Sequence, residues 1–245
     1  MIARKVVCRM TKREARAWAK ARRAELDMAA VGRGMAQALF SLPQWQSAGA
    51  VLAFAAMPDE PDTAEILRRA LADGKRLLLP RVRSKTEMDW VEIPALRLLR
   101  PGAFGIQEPP AALPAADPAG YAAALALVPC LAASRDGVRL GRGGGYYDRF
   151  LAHYKGAGLL LCPEALLLDE LPCDDWDARF APENIDRNIF IFCGSYFLNK
   201  APGRTAFFGD QTSDIILVNK CLIKLCAKRS LQCQNVLSCN IIVHA

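Results

Sequence analysis

The stretch "GVRLGRGGGYYDRFL", residues 137–151, gathers five glycines, three arginines, two tyrosines and one aspartate. Glycine lets consecutive backbone N–H groups turn toward one point and lets an anion approach the main chain. A helix starting near Tyr146 adds free N–H groups and the positive end of its dipole. Arg139 and Arg142 can each aim paired, charge-assisted hydrogen bonds at phosphate oxygens. Asp148 has the wrong sign for such a place unless a cation lies between. Mg²⁺, which takes one or two carboxylates together with phosphate oxygens and water, suits that position. The loop lacks GxxxxGK[ST] and the dinucleotide fingerprint, so its own chemistry specifies a nucleotide or phosphate site and stops there.

Such a loop needs a rigid frame. Thr11-Lys12-Arg13-Glu14 has the form of a capping box and predicts a helix start. Ala15, Trp18, Ala19, Leu26 and Val31 follow at helical spacings, which places Trp18 in the core. A second helical stretch carries Met35 and Leu39. The apolar runs at 50–57, 76–82, 124–132 and 158–162 read as buried strands, with a shorter strand at 88–93. Between them lie helices at 64–73, capped by Asp62 or Thr63 and closed by Gly74, and at 146–154. His153 falls on the solvated side of the latter. Fully apolar strands alternating with helices predict an α/β fold: three layers, α/β/α, around a mostly parallel, mixed central sheet of Rossmann-like type. Ligands in such sheets bind beyond the carboxyl ends of the strands. That directs attention to loops 57–63 and 133–145.

The rest of the composition narrows the class. Apolar residues make up 52% of the 245, which fits a globular protein. The basic N-terminus is not followed by an apolar segment of signal-peptide type, and Lys220 and Lys224 break the longest apolar run, so a cytoplasmic protein with no membrane association is expected. Nine cysteines without a CxxC pair, and only two histidines, give no zinc spacing and read as buried thiols. A sharp change occurs at Asn184: no asparagine precedes it, and six occur from there to the end. Seven basic residues against three acidic ones from Asp186 onward account for more than half of the net charge of +7. The expected organisation is therefore an α/β domain over 1–183 and an atypical tail over 184–245, with a composition foreign to the rest.

"RLGRGGGYYDRFL" resembles the signature of the 5-formyltetrahydrofolate cyclo-ligase (5,10-methenyltetrahydrofolate synthetase) family. "KREAR" (12–16), "MPDEPDT" (57–63), "LRPGAFGIQEPP" (99–110) and "LPCDDWDARF" (171–180) are similar to its other stretches, in order and spacing. The resemblance covers about residues 10–180. It implies ATP- and Mg²⁺-dependent cyclisation of 5-formyltetrahydrofolate to 5,10-methenyltetrahydrofolate, with ADP and phosphate released after phosphorylation of the formyl oxygen. By the same resemblance Lys12, Arg16, Arg139, Gly141, Arg142, Gly143, Gly144, Gly145, Tyr146 and Tyr147 contact ATP, and Arg142 and Tyr147 act in catalysis. Ala55, Glu60, Arg142, Gly143, Gly144, Gly145 and Tyr146 border the folate. Asp148 and Asp177 hold Mg²⁺. A monomer acting on a small molecule is expected.

The chain departs from the family's pattern in two places. Many members carry lysine where Gly144 stands, and after Asp177 they run to a Val-Asp pair and a last strand that "RFAPENIDRN" replaces here. If that strand were missing, a sheet edge would be left unpaired. Other readings are a phosphate-binding relative with another substrate, an inactive homologue with a foreign tail, and a non-catalytic nucleotide- or RNA-binding module. The last predicts salt-sensitive binding without ATP turnover. The lack of an aromatic-rich basic stretch disfavours nucleic acid.

Overall fold

The computed structural model describes residues 10–102, 105–121, 123–186 and 189–194. In chain order the helices are α1 (Lys12–Arg23), α2 (Met28–Phe40), α3 (Pro43–Ser47), α4 (Ala64–Ala72) and α5 (Tyr146–His153). The main-sheet strands are β1 (Ala50–Leu52), β2 (Arg76–Val82), β3 (Met88–Glu92), β6 (Ala124–Val128), β9 (Ala157–Pro163), β11 (Ala181–Asp186) and β12 (Ile189–Gly194). They run in the order β11-β12-β9-β6-β1-β2-β3. The four central strands are parallel, and both flanks are antiparallel. Short strands β4 (Arg100–Pro101) and β5 (Gln107–Glu108) form a hairpin. β7 (Ala132–Ser134), β8 (Arg139–Leu140) and β10 (Leu167–Leu168) make a small second sheet.

Strand alternation sorts the core into the two faces of the sheet. Val51, Leu77, Leu79, Leu125, Leu127, Leu159 and Leu161 pack with Met35, Leu39, Trp45, Ile66 and Ala70 from α2, α3 and α4. On the other face Val128 and Leu160 pack with Ala15 and Ala19 of α1 and Leu151 of α5. There too Leu52, Leu78 and Ala126 meet Trp90 and Tyr154. Apolar residues on both faces of each central strand are what make the runs continuous rather than alternating. The capping box at α1 forms as expected: the Thr11 hydroxyl accepts from the Glu14 N–H, and the Glu14 carboxylate accepts from the Thr11 N–H at 2.7 Å. Trp18 is half-buried against the second cluster, and His153 is exposed.

Two apolar runs end as strands earlier than their composition implies. The run from residue 50 leaves the ladder after Leu52, because the Thr63 hydroxyl donates to the Phe54 carbonyl at 2.7 Å and accepts from the Ala56 N–H at 3.0 Å. Asp62, not Thr63, then accepts from the first N–H of α4, at 2.8 Å. The run from Ala124 stops before Pro129, which has no N–H to pair. The carbonyls of Cys130 and Leu131 instead accept from Arg23, at the end of α1.

Beyond β9 the sheet continues. β12 pairs antiparallel with it from Ile189↔Pro163 to Gly194↔Gly158, and β11 pairs with β12, so that edge of β9 is covered. The composition change at Asn184 falls within β11. The tail beyond Gly194 lies outside the described residues. Among the described residues no helix is long and apolar enough to cross a membrane, and Cys130 and Cys162 are buried free thiols.

Arg23 is 3% exposed and binds three carbonyls, those of Asp59, Cys130 and Leu131. It ties the loop after β1 to the segment after β6. Replacing it by alanine orphans these groups and opens a void. Arg23→Ala should lower stability by about 3 kcal/mol, measured by urea denaturation of the full chain.

Candidate functional site

Both loops singled out by topology meet at one cavity of about 470 Å³. It opens where the carboxyl ends of β1, β2 and β6 deliver their following segments. Phe54, Ala55, Met57 and Glu60 come from the first, Pro80 and Val82 from the second, and Pro129 to Leu131 from the third. The glycine loop from Gly141 to Gly145, with Tyr146, Tyr147 and Asp148 at the start of α5, completes the lining.

The loop has the backbone such a site requires. Gly143 and Gly145 sit at φ +103° and +68°, where a side chain would be strained. Gly145 is the N-cap of α5 and offers no side-chain cap, so the first-turn N–H groups stay available. Arg16 anchors the loop from behind, donating from Nε to the Gly141 carbonyl at 3.0 Å. A Cβ built at Gly144 would lie 2.9 Å from the Tyr146 ring, so glycine there lets that ring close over the backbone. The Tyr146 hydroxyl donates to the Ser84 carbonyl at 2.8 Å and fixes α5 to the β2–β3 turn.

Charge pairing joins the two loops. Arg142 Nη2 lies 2.6 Å from Asp59 Oδ1 and 3.2 Å from Glu60 Oε1. Glu60 is 9% exposed, and its other oxygen accepts from the Met57 N–H at 3.0 Å. Burial alone would raise Asp59, but the bond and charge of Arg142, helped by Arg23, outweigh it and hold the carboxyl below its ordinary value. Burial alone would lower Arg142, but Asp59 and Glu60 reverse the shift and keep the guanidinium charged.

The cation that Asp148 requires is present in the chain itself: Arg139 Nη2 donates to Asp148 Oδ1 at 2.6 Å. Arg139 is 8% exposed and also donates to the Pro129 carbonyl. Among the described residues its Nε and the Tyr147 hydroxyl are buried without a partner, although both residues line the cavity. Burial, reinforced by the nearby Glu60 charge, pushes the Tyr147 phenol far above its ordinary value. Tyr147 is therefore a hydrogen-bond donor, not a base.

Ala55, Glu60, Arg139, Gly141 to Gly145, Arg142, Tyr146, Tyr147 and Asp148 thus share one lining, with Arg16 directly behind it. Lys12 and Asp177 are not part of that lining. One helical turn before Arg16, Lys12 Nζ donates to Asp174 and Asp177, each at 2.6 Å. Burial would lower the ammonium, but these bonds and charges outweigh it and hold Lys12 above its ordinary value. Asp177 also accepts from the Asp174 N–H at 2.7 Å.

Three residues around the site had no role assigned from the sequence: Arg23, and Asp59 and Glu108, which lie within the family-like stretches 57–63 and 99–110. Arg23 reads there as one more basic residue on a basic helix. Only its burial reveals it.

The donors suit a polyphosphate: a glycine nest, an uncapped helix start, and two buried donors awaiting acceptors. For a divalent ion, no group of three or more His, Cys, Asp or Glu is placed to hold one among the described residues. Asp148 fits an ion that arrives with phosphate oxygens, since Mg²⁺ typically needs only one or two protein carboxylates.

Comparison with known proteins agrees with this geometry. A sequence model of the 5-formyltetrahydrofolate cyclo-ligase family matches residues 3–181. The chain is 35% identical over 139 residues to a 5-formyltetrahydrofolate cyclo-ligase of Mycolicibacterium smegmatis (strain ATCC 700084 / mc(2)155), covering 52% of this chain and 68% of that one. The NMR structure of Aquifex aeolicus 5,10-methenyltetrahydrofolate synthetase superposes with a TM-score of 0.64 at 26% identity, covering 82% of this chain and 99% of that one. A 5,10-methenyltetrahydrofolate synthetase from Mycoplasma pneumoniae shares the fold, with a TM-score of 0.53 at 18% identity over 69% of this chain and 95% of that one. With the family's sequence pattern spanning most of its length, this chain is an enzyme of the 5-formyltetrahydrofolate cyclo-ligase family.

Proposed function

We propose that this enzyme converts 5-formyltetrahydrofolate to 5,10-methenyltetrahydrofolate, using ATP with Mg²⁺ and releasing ADP and phosphate. The observation that carries the reading is the single cavity with a phosphate-type glycine loop on one side and a mostly apolar lining with buried carboxylates on the other. Its volume lies within the usual range for a small-molecule site.

The chemistry asks the protein mainly to position its partners. The formyl oxygen attacks the γ-phosphorus of ATP, and the bond to ADP breaks. N10 then attacks the activated carbon and loses its proton, and the C–O bond breaks to release phosphate. Holding the formyl oxygen and the γ-phosphoryl group in line supplies much of the rate, and neutralising charge on the phosphoryl oxygens supplies the rest. The nest at Gly141 to Gly145, the start of α5 and Arg142 face the phosphates, with Arg16, Arg139 and Lys12 contributing positive charge. Tyr147 donates its buried proton as a hydrogen bond to an oxygen that gains charge. Arg142 borders both ATP and folate, because its carboxylate partners lie on the opposite loop. Ala55, Glu60 and Tyr146 line the folate side. Asp148 would hold Mg²⁺, which would offset charge on the phosphates, and Asp177, paired with Lys12 outside the lining, would join it only on leaving that ion pair.

Purified full-length protein with Mg-ATP and 5-formyltetrahydrofolate should develop the near-ultraviolet absorbance of the methenyl product. Folded protein that leaves the spectrum unchanged would refute the proposal. Arg142→Ala should lower kcat/KM by about a hundredfold or more, as loss of a charge-stabilising donor does. Tyr147→Phe separates function from stability. Its hydroxyl has no partner to lose among the described residues, so the thermal midpoint should hold or rise, while kcat falls by about tenfold or more. A variant with full kcat would remove Tyr147 from the mechanism.

A further inference from the structure

The cavity holds a second buried carboxylate, and its bonding differs from that of Glu60. Glu108 ends β5 and is 8% exposed. It lines the cavity together with Val82 and Ile106. Its one recorded bond is a long one: Oε1 accepts from the Val82 N–H at 3.4 Å. No cation lies within ion-pair distance of it among the described residues. Glu60, by contrast, has one oxygen on Arg142 and the other on the Met57 N–H. A buried carboxylate without a cation is costly unless hydrogen-bond donors reach it. The fold nonetheless makes room for this one. Gly102, which follows β4 in the hairpin, sits so close that a Cβ there would lie 2.3 Å from Glu108 Oε2. Any other residue would push the carboxylate out of place.

The acceptor capacity that Glu108 brings to the cavity lining matches one part of the substrate. The reduced pterin ring of 5-formyltetrahydrofolate carries a 2-amino group and ring N–H groups, which a carboxylate can accept in pairs. ATP phosphates, being acceptors, would be repelled. We infer that Glu108 is a substrate-binding residue that accepts hydrogen bonds from the pterin N–H donors and so selects folates over flat heterocycles lacking them. The inference rests on the cavity being the folate site. Glu60, held by Arg142, then belongs to the junction between folate and phosphates, while Glu108 anchors the ring.

The test compares full-length wild type with Glu108→Gln and Glu108→Asp, each variant checked for an unchanged thermal midpoint. Glu108→Gln presents an amide N–H₂ to the pterin donors, and Glu108→Asp keeps the charge but withdraws it by one methylene. Both should raise the KM for 5-formyltetrahydrofolate by about tenfold or more and leave the KM for ATP within twofold. Equilibrium dialysis of 5-formyltetrahydrofolate without ATP should show the same loss of affinity. Wild-type turnover decides the reading of the cavity separately: without it, both that reading and this inference fall. With wild type active, an unchanged folate KM in both variants overturns the role of Glu108 alone. So does a parallel rise in both KM values, or the failure of both variants to fold, since either marks the carboxylate as structural.

Discussion

Everything at this site depends on guanidinium groups reaching across gaps in sequence that the sheet alone does not close. The loop after β1 and the glycine loop are about 80 residues apart in the chain, as the Arg142–Glu60 bond records. Backbone pairing brings their parent strands near each other but leaves the loops free to splay. Arg142 closes that gap with two carboxylates at once, and Arg23 closes the one beneath it with three carbonyls. Planar, multidentate guanidinium suits this work, because one side chain fixes several acceptors in a defined relative position.

The same arrangement explains why the site is left incompletely bonded. Among the described residues, Arg139 Nε and the Tyr147 hydroxyl are buried donors with no acceptor, and the Glu108 side chain has a single long bond. Each such group costs about 1–3 kcal/mol of folding free energy relative to a satisfied one. Natural cores avoid this, and two such donors, on Arg139 and Tyr147, belong to residues that line one cavity, with Trp90 Nε1 a further case in the core beside it. The pattern is that of an interior organised around groups a ligand brings: acceptors on the glycine-loop side, and donors on the Glu108 side.

Much of this was legible in the chain itself. Continuous apolar runs separated by helical spacings gave the parallel sheet, because burial on both faces removes polar alternation. The capping box placed α1, and so the face from which Arg16 reaches Gly141. Glycines and arginines at 139–145 marked an anion site, because few other purposes need bare backbone and paired charge together. The strand at 189–194 was harder to read. Its composition differs from the rest of the domain, and whether a segment joins a sheet edge is decided by the neighbouring edge, here β9.

The sequence by itself determined the main helices, the central strands and the chemical character of the glycine loop, since these follow from periodicity, local backbone preference and residue type. Tertiary structure alone decided that Arg23 is buried, that Arg139 supplies the cation beside Asp148, and that Lys12 pairs with Asp174 and Asp177. It alone turned Glu108 into the cavity. Each of these depends on which groups meet across 9 to 165 positions of chain, and on how much water is left between them. A charged residue looks the same in sequence whether it is solvated or enclosed, and only the packing around it sets that difference.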